Sequence, residues 1–238
     1  MGPAPLSPAE APVPYLTIRR GEEYEKPPVV YVRHGLAVVG IGYADEVEED
    51  RDHRDVLWER VSVCPAGAPR YRHAHPERQA AAMDDLRCQV FFTEADWTDK
   101  GVLFLLRDVR GAEETPASWP EGAVTLHPPL SLDGAAWSVL ACGHLADGWV
   151  AVRVADPDPE YGYCGTLYQP SPAGPVPTSE GKAATVPYNN PVVGWLVASA
   201  QAALLRGCTI VDLAAELAAA GHTELAEQVA AAYPTASI

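Results

Sequence analysis

VVYVRHGLAVVGIGY, residues 29–43, contains two runs of β-branched and aromatic residues on either side of His34-Gly35. Such side chains favour strands, and Gly35 can adopt the positive φ that a tight turn requires. The stretch therefore predicts a β-hairpin, and a hairpin in turn predicts an antiparallel sheet.

A second hairpin is expected further along the chain, with residues 137–145 returning as residues 149–155 around Asp147-Gly148. The returning arm carries valines in alternation, which is the period of a strand with one buried face. Shorter strand-like runs, separated by polar or proline-containing connectors, occupy residues 15–19, 56–63, 88–93, 102–107, 123–126 and 163–168.

Helix signals interrupt this pattern once and then dominate the C-terminus. Residues 76–87 begin with Pro-Glu and continue with alanine-rich helix formers, which predicts one interposed helix. Asn190-Pro191 and the apolar run to Leu205 predict a second helix, and Thr209 and Thr223 are expected to cap two short ones. The predicted fold class is α+β: a mostly antiparallel β-sheet built from hairpins, one interposed helix and a C-terminal helical segment.

The distribution of proline divides the chain into four predicted segments. Residues 1–14 are expected to form a Pro-rich flexible tail and residues 15–169 an antiparallel β-rich domain. Residues 170–190 are expected to form a Pro-rich connector, and residues 191–238 C-terminal helices that pack on the same core.

The chain is strongly acidic. Its 17 lysines and arginines face 32 aspartates and glutamates, which gives a formal net charge of −15 at pH 7. This charge repels nucleic-acid phosphates and anionic lipid surfaces, so neither nucleic acid nor a membrane is expected as a partner. The run of carboxylates at residues 45–55 is interpreted as a solvated, self-compensating surface.

The cysteines point to a reducing compartment. They are odd in number, widely spaced and without a CxxC pair, which is typical of free thiols. The first residues lack the basic and apolar segments of a secretory signal peptide, so a cytoplasmic, soluble protein is expected. The scarcity of lysine and the abundance of alanine and proline are typical of a GC-rich bacterial genome.

Arg33-His34-Gly35, at the end of a strand-like run, resembles the motif with which histidine phosphatases present their phospho-accepting histidine. His144 also follows an apolar run, as the second histidine of that family does. The fold of that family is a parallel α/β sheet, whereas both histidines here lie in or beside predicted antiparallel hairpins. Leu36 also stands where an acidic residue or glutamine is expected. His34-Gly35 is therefore interpreted as a hairpin turn, and no family is assigned.

Cys64, His73 and His75 are the candidate metal ligands, because thiolate and imidazole groups bind Zn²⁺. The segment is rich in proline, and a fourth ligand would have to come from elsewhere, so no metal is expected. Glycine-rich nucleotide loops, nucleophile elbows and HExxH sequences are also absent from the sequence, and no cofactor is expected.

Residues 156–165 bring carboxylates, aromatic rings and a thiol to the end of the second predicted hairpin, where a loop could hold a ligand. The tyrosines could cover a ligand, and the thiol could act as a nucleophile if a base lay near it. The catalytic candidates are His73, His75, Tyr161, Tyr163 and Cys164. A rigid inter-strand loop with one packed tyrosine is the alternative interpretation.

Two functional classes remain. The first is an acidic cytoplasmic protein-binding or accessory module without catalytic activity, comparable in role to an inhibitor or immunity protein, that binds a basic protein partner. The alternative is a cofactor-independent enzyme acting on a small-molecule substrate in a pocket at one end of the sheet. The first is favoured because an enzyme more often carries a recognisable catalytic sequence motif. The sequence does not indicate an oligomeric state.

Overall fold

The structure, a computed structural model, describes residues 11–64, 66–178 and 184–232. Twelve strands and four α-helices form within these residues. In chain order they are β1 (Thr17–Arg19), β2 (Val29–His34), β3 (Ala37–Tyr43), β4 (Leu57–Trp58), β5 (Pro69–Ala74), α1 (Pro76–Asp84), β6 (Trp97–Thr98), β7 (Gly101–Arg107), β8 (Val124–Thr125), α2 (Leu132–Ala141), β9 (Trp149–Gln169), β10 (Val176–Pro177), β11 (Ala184–Pro187), β12 (Leu196–Val211), α3 (Leu213–Ala219) and α4 (Thr223–Ala232).

The α+β fold class predicted from the sequence is confirmed. The pairs β1–β5, β2–β3, β6–β7, β7–β9 and β8–β12 are antiparallel, as are the pairs that β10 and β11 make with β9. The short strand β4 runs parallel to β12, so the larger sheet is mixed. None of the helices in the described residues is long and apolar enough to cross a membrane.

Contacts group the chain into two compact units. Among the described residues, unit 1 contains 11–15, 81–159 and 203–232, and unit 2 contains 16–64, 66–80, 160–178 and 184–202. Strands β9 and β12 contribute residues to both units. The four segments predicted from proline distribution stay a prediction; residues 1–10 of the predicted tail and 179–183 of the predicted connector lie outside the described residues.

Unit 1 has a hydrophobic core on both faces of β7. On one face, Leu103 and Leu105 pack with the apolar sides of α2, α3 and α4. On the other face, Phe104 packs among valines of β9 and with Leu205 of β12. Because β7 is buried on both faces, its sequence is a continuous apolar run rather than an alternation.

Arg153 is the one large charged side chain of this core among the described residues, with 1 % of its surface exposed. Its guanidinium donates to Oδ1 of Asp96 at 2.5 Å, to the Asp96 carbonyl at 2.8 Å and to Oε2 of Glu216 at 2.6 Å. The charge is therefore paired and hydrogen-bonded, as burial requires. It links the strand β9 to helix α3.

Unit 2 contains the hairpin β2–β3 and the pair β1–β5. It also contains β4, β10, β11 and the parts of β9 and β12 that fall in residues 160–169 and 196–202. Ile41 and Tyr43 of β3 pack against Leu57 and Val197, which fixes one face of the hairpin to the core of this unit. The hairpin predicted over residues 29–43 is confirmed, but its turn is Gly35-Leu36 rather than His34-Gly35, because His34 ends β2 and pairs with Ala37; Gly35 has φ +63°.

Several other sequence predictions are confirmed. The interposed helix is α1, and a last helix, α4, is present, although Thr223 is its first residue rather than its cap. Residues 15–19 and 123–126 contain β1 and β8, and residues 102–107 lie within β7. These elements carry local signals that no distant contact overrides.

The second predicted hairpin is wrong in its first arm. Residues 137–145 are not a strand, because α2 covers Leu132–Ala141 and a 3₁₀ helix follows at Gly143–Leu145. The Ser131 hydroxyl caps α2 by accepting from the Gly134 N–H at 3.1 Å. The returning arm is indeed a strand, the start of β9, but its partner is β7.

The helix predicted over residues 191–205 is also wrong. The Asn190 cap is present, but it opens only the 3₁₀ helix Pro191–Trp195, and β12 follows from Leu196 to Val211. A run of alanine, valine and leucine fits a buried strand as well as a buried helix. The next helix begins at Leu213 with Asp212 as its cap rather than at Thr209. Residues 88–93, predicted as a strand, form turns.

Candidate functional site

The predicted metal ligands do not come together. His73 is exposed on β5, His75 is fully buried and Cys64 is half-buried. Across residues 11–64, 66–178 and 184–232, no group of three or more histidine, cysteine or carboxylate side chains is arranged to hold a metal ion.

His75 lies between β5 and α1 in a buried ionic environment. The backbone N–H of His75 donates to the Leu16 carbonyl at 2.7 Å. Neither nitrogen of the imidazole ring has a partner in hydrogen-bond geometry. Beside it, Arg78 donates to Oε2 of Glu22 at 2.5 Å. Burial and the Arg78 guanidinium lower the pKa of His75, more than the Glu22 carboxylate raises it. The ring is held neutral and out of reach of a substrate.

Tyr161, Tyr163 and Cys164 do not lie on a loop; the loop predicted at residues 156–165 is wrong, because these residues belong to the continuous strand β9. Tyr161 is half-buried, whereas Tyr163 is 2 % and Cys164 3 % exposed. Burial raises the pKa of both the Tyr163 hydroxyl and the Cys164 thiol. A buried, protonated thiol is a poor nucleophile.

A concave surface of unit 2 lies instead in the charged stretch after β3. We name it the acidic groove; it measures about 590 Å³ and is lined by Glu46, Val47, Glu48, Arg51, Asp52, His53 and Asp55. With His53 counted as neutral, four carboxylates against one guanidinium give the groove a net charge of −3. The sequence interpretation of residues 45–55 as a solvated surface missed this shape.

Arg51 organises the acidic groove. Its Nε donates to Oε1 of Glu46 at 2.6 Å, and its Nη2 donates to Oε2 of Glu46 at 3.0 Å and to the Ile41 carbonyl at 2.9 Å. Its Nη1 donates to the Asp55 carbonyl at 2.8 Å. One side chain thus holds both ends of the charged stretch against β3.

Two more carboxylates, Asp50 and Asp52, stabilise the conformation of residues 45–55 through internal hydrogen bonds. Asp50 is buried and accepts from Arg60 Nε and Nη2, both at 2.6 Å, and these hydrogen bonds keep the pKa of Asp50 below its usual value. Asp52 accepts from the backbone N–H groups of Arg54 and Val56, at 2.9 and 3.1 Å.

Glu48 and Asp55 have a different position, because both are exposed at the groove. The Asp55 side chain is 88 % exposed, and its closest cation is Arg51 at 3.5 Å. Its backbone has φ +65°, a left-handed conformation that aspartate and asparagine tolerate better than most residues. These two carboxylates are available to a ligand.

A smaller apolar lobe continues the groove onto the hairpin. It measures about 280 Å³ and shares Glu46, Arg51 and Asp55 with the acidic groove. Its other lining residues are Val32, Val39, Gly40, Ile41 and Gly194. A Cβ at Gly40 would collide with the Gly194 carbonyl, so glycine is required where β3 passes the 3₁₀ helix.

The hairpin beside this lobe exposes an unusual number of aliphatic side chains. Leu36 at the turn is 99 % exposed, and Val39 is 50 % exposed. Val30, Val32 and Val38 are each more than a third exposed. Contiguous exposed apolar surface with a polar rim is a mark of interaction sites.

The two concave sites place carboxylates beside aliphatic side chains. None of His73, His75, Tyr161, Tyr163 or Cys164 lines either site. No protein-family model, no curated protein and no solved structure matches the chain. Function must therefore be argued from the geometry of the acidic groove and the hairpin.

Proposed function

We propose that this protein is a non-catalytic binding or accessory module, comparable in role to an inhibitor or immunity protein, whose acidic groove binds a basic protein partner. The observation that carries the proposal is the juxtaposition of the acidic groove with the apolar lobe. A lysine or arginine side chain of the partner would pair with Glu48 and Asp55. A neighbouring aliphatic side chain would pack on Val32 and Val39.

A protein partner fits this surface better than a small cation. Protein interfaces combine an apolar centre with a charged rim, and the exposed hairpin supplies apolar surface next to the carboxylates. The net charge of −15 would also steer a basic partner towards the chain and repel acidic competitors. The same field disfavours nucleic acid and anionic membranes.

The alternative function, a cofactor-independent enzyme with a pocket near the histidines and the β9 tyrosines, is not favoured. His75, Tyr163 and Cys164 are each at most 3 % exposed, so a substrate could not reach them without a large rearrangement. We also propose that the protein acts in the cytoplasm of a bacterium with a GC-rich genome. All five cysteines are free thiols, which supports a reducing compartment.

The test compares the proteins recovered with wild type and with a variant whose groove charge is reduced from −3 to −1. Tagged protein is isolated from the cytosol of its own organism at low and then moderate salt, as wild type and as the double variant Glu48→Gln, Asp55→Asn. Asparagine tolerates the left-handed backbone at position 55, so the shape of the groove is retained. The expected result is a basic protein, of pI above about 9, that binds wild type and is released as salt rises.

The matched control is Asp147→Asn, Asp156→Asn, which removes two charges from side chains that are 80 % and 68 % exposed in unit 1. Each exposed ion pair contributes about 0.5–1 kcal/mol, so the groove variant should bind about tenfold more weakly, and the control should bind like wild type. Equal recovery with the groove variant, or equal weakening in the control, would contradict the proposal.

A further inference from the structure

Strand β2 has an open outer edge. The hairpin forms a two-stranded sheet of its own, in which β2 pairs with β3 alone. Among the described residues, no backbone hydrogen bond outside this pairing involves Val29–His34. The backbone groups that point away from β3 are therefore available to another strand.

The protection against pairing is confined to the two ends of this edge. Proteins commonly protect such edges with lysine, an inward charge or proline, but residues 29–32 carry none of these. Val30 and Val32 are 38 % and 37 % exposed, and they lie on the same side of the strand. Pro27 and Pro28 limit the available edge at one end, and at the other end the pairing with β3 becomes irregular, because Val39 of β3 is bulged opposite the step from Val32 to Arg33.

The charges around this edge are self-complementary. Arg33 and His34 lie at the end of β2, whereas the Asp45 carboxylate, which is 65 % exposed although it lies 3.2 Å from Arg60, is near its beginning. This follows because Val29 pairs with Tyr43, and the Ala44 N–H donates to the Pro28 carbonyl at 2.9 Å. An antiparallel arrangement of two β2 strands puts the basic end of each beside the acidic end of the other.

We propose that β2 of one molecule pairs antiparallel with β2 of a second copy, around a two-fold axis at Tyr31. The product is a continuous four-stranded sheet in the order β3-β2-β2-β3. In this register Val30 of one copy lies opposite Val32 of the other, and Arg33 lies opposite Val29 near the acidic stretch. Such an interface is isologous, so it closes as a dimer and does not propagate.

This self-association goes beyond the proposed binding of a basic partner and does not depend on it. Val30 does not line the acidic groove or the apolar lobe. A pairing of about five residues buries less area than a permanent dimer needs, so the dimer should be reversible and dependent on concentration.

The test is sedimentation equilibrium of the full chain from about 10 µM to about 1 mM. Wild type should shift from monomer to dimer, and Val30→Lys should raise the dissociation constant at least about tenfold, because it adds a protecting charge to the edge. The matched control is Val63→Lys, at a position that is 69 % exposed and outside the hairpin; it should dimerise like wild type. A wild type that stays monomeric, or equal loss in the control, overturns the proposal.

Hydrogen exchange of the unmodified protein gives a second measurement that does not rely on a variant. Amides of residues 29–33 that point away from β3 should exchange more slowly at high than at low concentration. Exchange that is independent of concentration in a sample shown to dimerise would place the interface elsewhere and refute the pairing.

Discussion

Replacing Arg51 by methionine tests whether partner binding depends on the shape of the acidic groove or only on its negative charge. The substitution removes a positive charge, so the acidic groove changes from −3 to −4. It also removes the hydrogen bonds that hold Glu46, the Ile41 carbonyl and the Asp55 carbonyl in place. The two effects act on partner binding with opposite sign.

The magnitudes decide which effect dominates. A unit charge removed about 4 Å from a bound cation changes their interaction by about 1 kcal/mol where water fills the groove. The Arg51 side chain is only 17 % exposed, and its four hydrogen bonds contribute about 0.5–1.5 kcal/mol each before solvent screening. A loss of about 2–3 kcal/mol in local stability is therefore expected, which exceeds the electrostatic gain.

The assay is titration of the basic protein recovered with wild type, together with hydrogen exchange over residues 46–55. Arg51→Met should bind at least about threefold more weakly and exchange faster in this stretch, because the binding-competent shape is less populated. The control Arg107→Met removes the same charge from a side chain that is 65 % exposed in unit 1, and it should change neither quantity. Tighter binding by a folded Arg51→Met protein would refute the argument from groove geometry.

Three further predictions concern stability. Arg153→Met should lower the free energy of unfolding by about 3 kcal/mol in denaturant titrations, because two carboxylates lose a buried partner; an unchanged midpoint would contradict this. Burial and Arg78 lower the pKa of His75 below 6.5, so the unfolded chain binds the proton first, and stability should fall as pH decreases below about 6.5. In urea titrations at several pH values, His75→Phe should lose the fall in the free energy of unfolding that occurs below about pH 6.5. The same dependence on pH in the variant and in wild type would contradict the assignment to His75. Gly101→Ala should cost more than about 2 kcal/mol in thermal unfolding, because Gly101 has φ +109° and its new Cβ would collide with the Val154 carbonyl; a wild-type melting temperature would show that the strand can shift.

Local signals sufficed for part of the fold. The hairpin at residues 29–43 has β-branched arms around a glycine, and α1 and α4 have clear starts at Pro76 and Thr223. The hairpin is fixed by the β propensity of its arms and the positive φ of Gly35, and α1 and α4 by runs of helix-forming residues after these starts. They could therefore be predicted without knowledge of distant partners.

Two of the errors, the strand predicted at residues 137–145 and the helix predicted at residues 191–205, share one physical cause. Residues 137–145 and 191–205 are apolar runs whose composition permits helix or strand, and the choice depends on what covers them. Leu132 and Val139 pack with other helices of unit 1, so that segment is helical. Leu196 and Ala198 pack in the core of unit 2, so that alanine-rich segment is a strand despite its helix propensity.

In the candidate site, too, some properties follow from the sequence and others only from the tertiary structure. The net charge of the chain is a property of the sequence alone and supports the expectation of a basic partner, whereas the carboxylates of residues 45–55 are predicted from the sequence only as a solvated surface. Which of those carboxylates are free is a property of the tertiary structure, because Asp50 and Asp52 are committed to internal hydrogen bonds and Glu48 and Asp55 are not buried.

Composition and local propensity thus determined the fold class, the acidity and the β2–β3 hairpin, because each depends on residues adjacent in the chain. Tertiary structure alone decided that Tyr163 and Cys164 are buried in a strand and that Arg51 closes a groove against β3. Burial and hydrogen-bond partnership are settled by residues distant in sequence. The free energy of desolvating each polar group is defined only once those partners are in place.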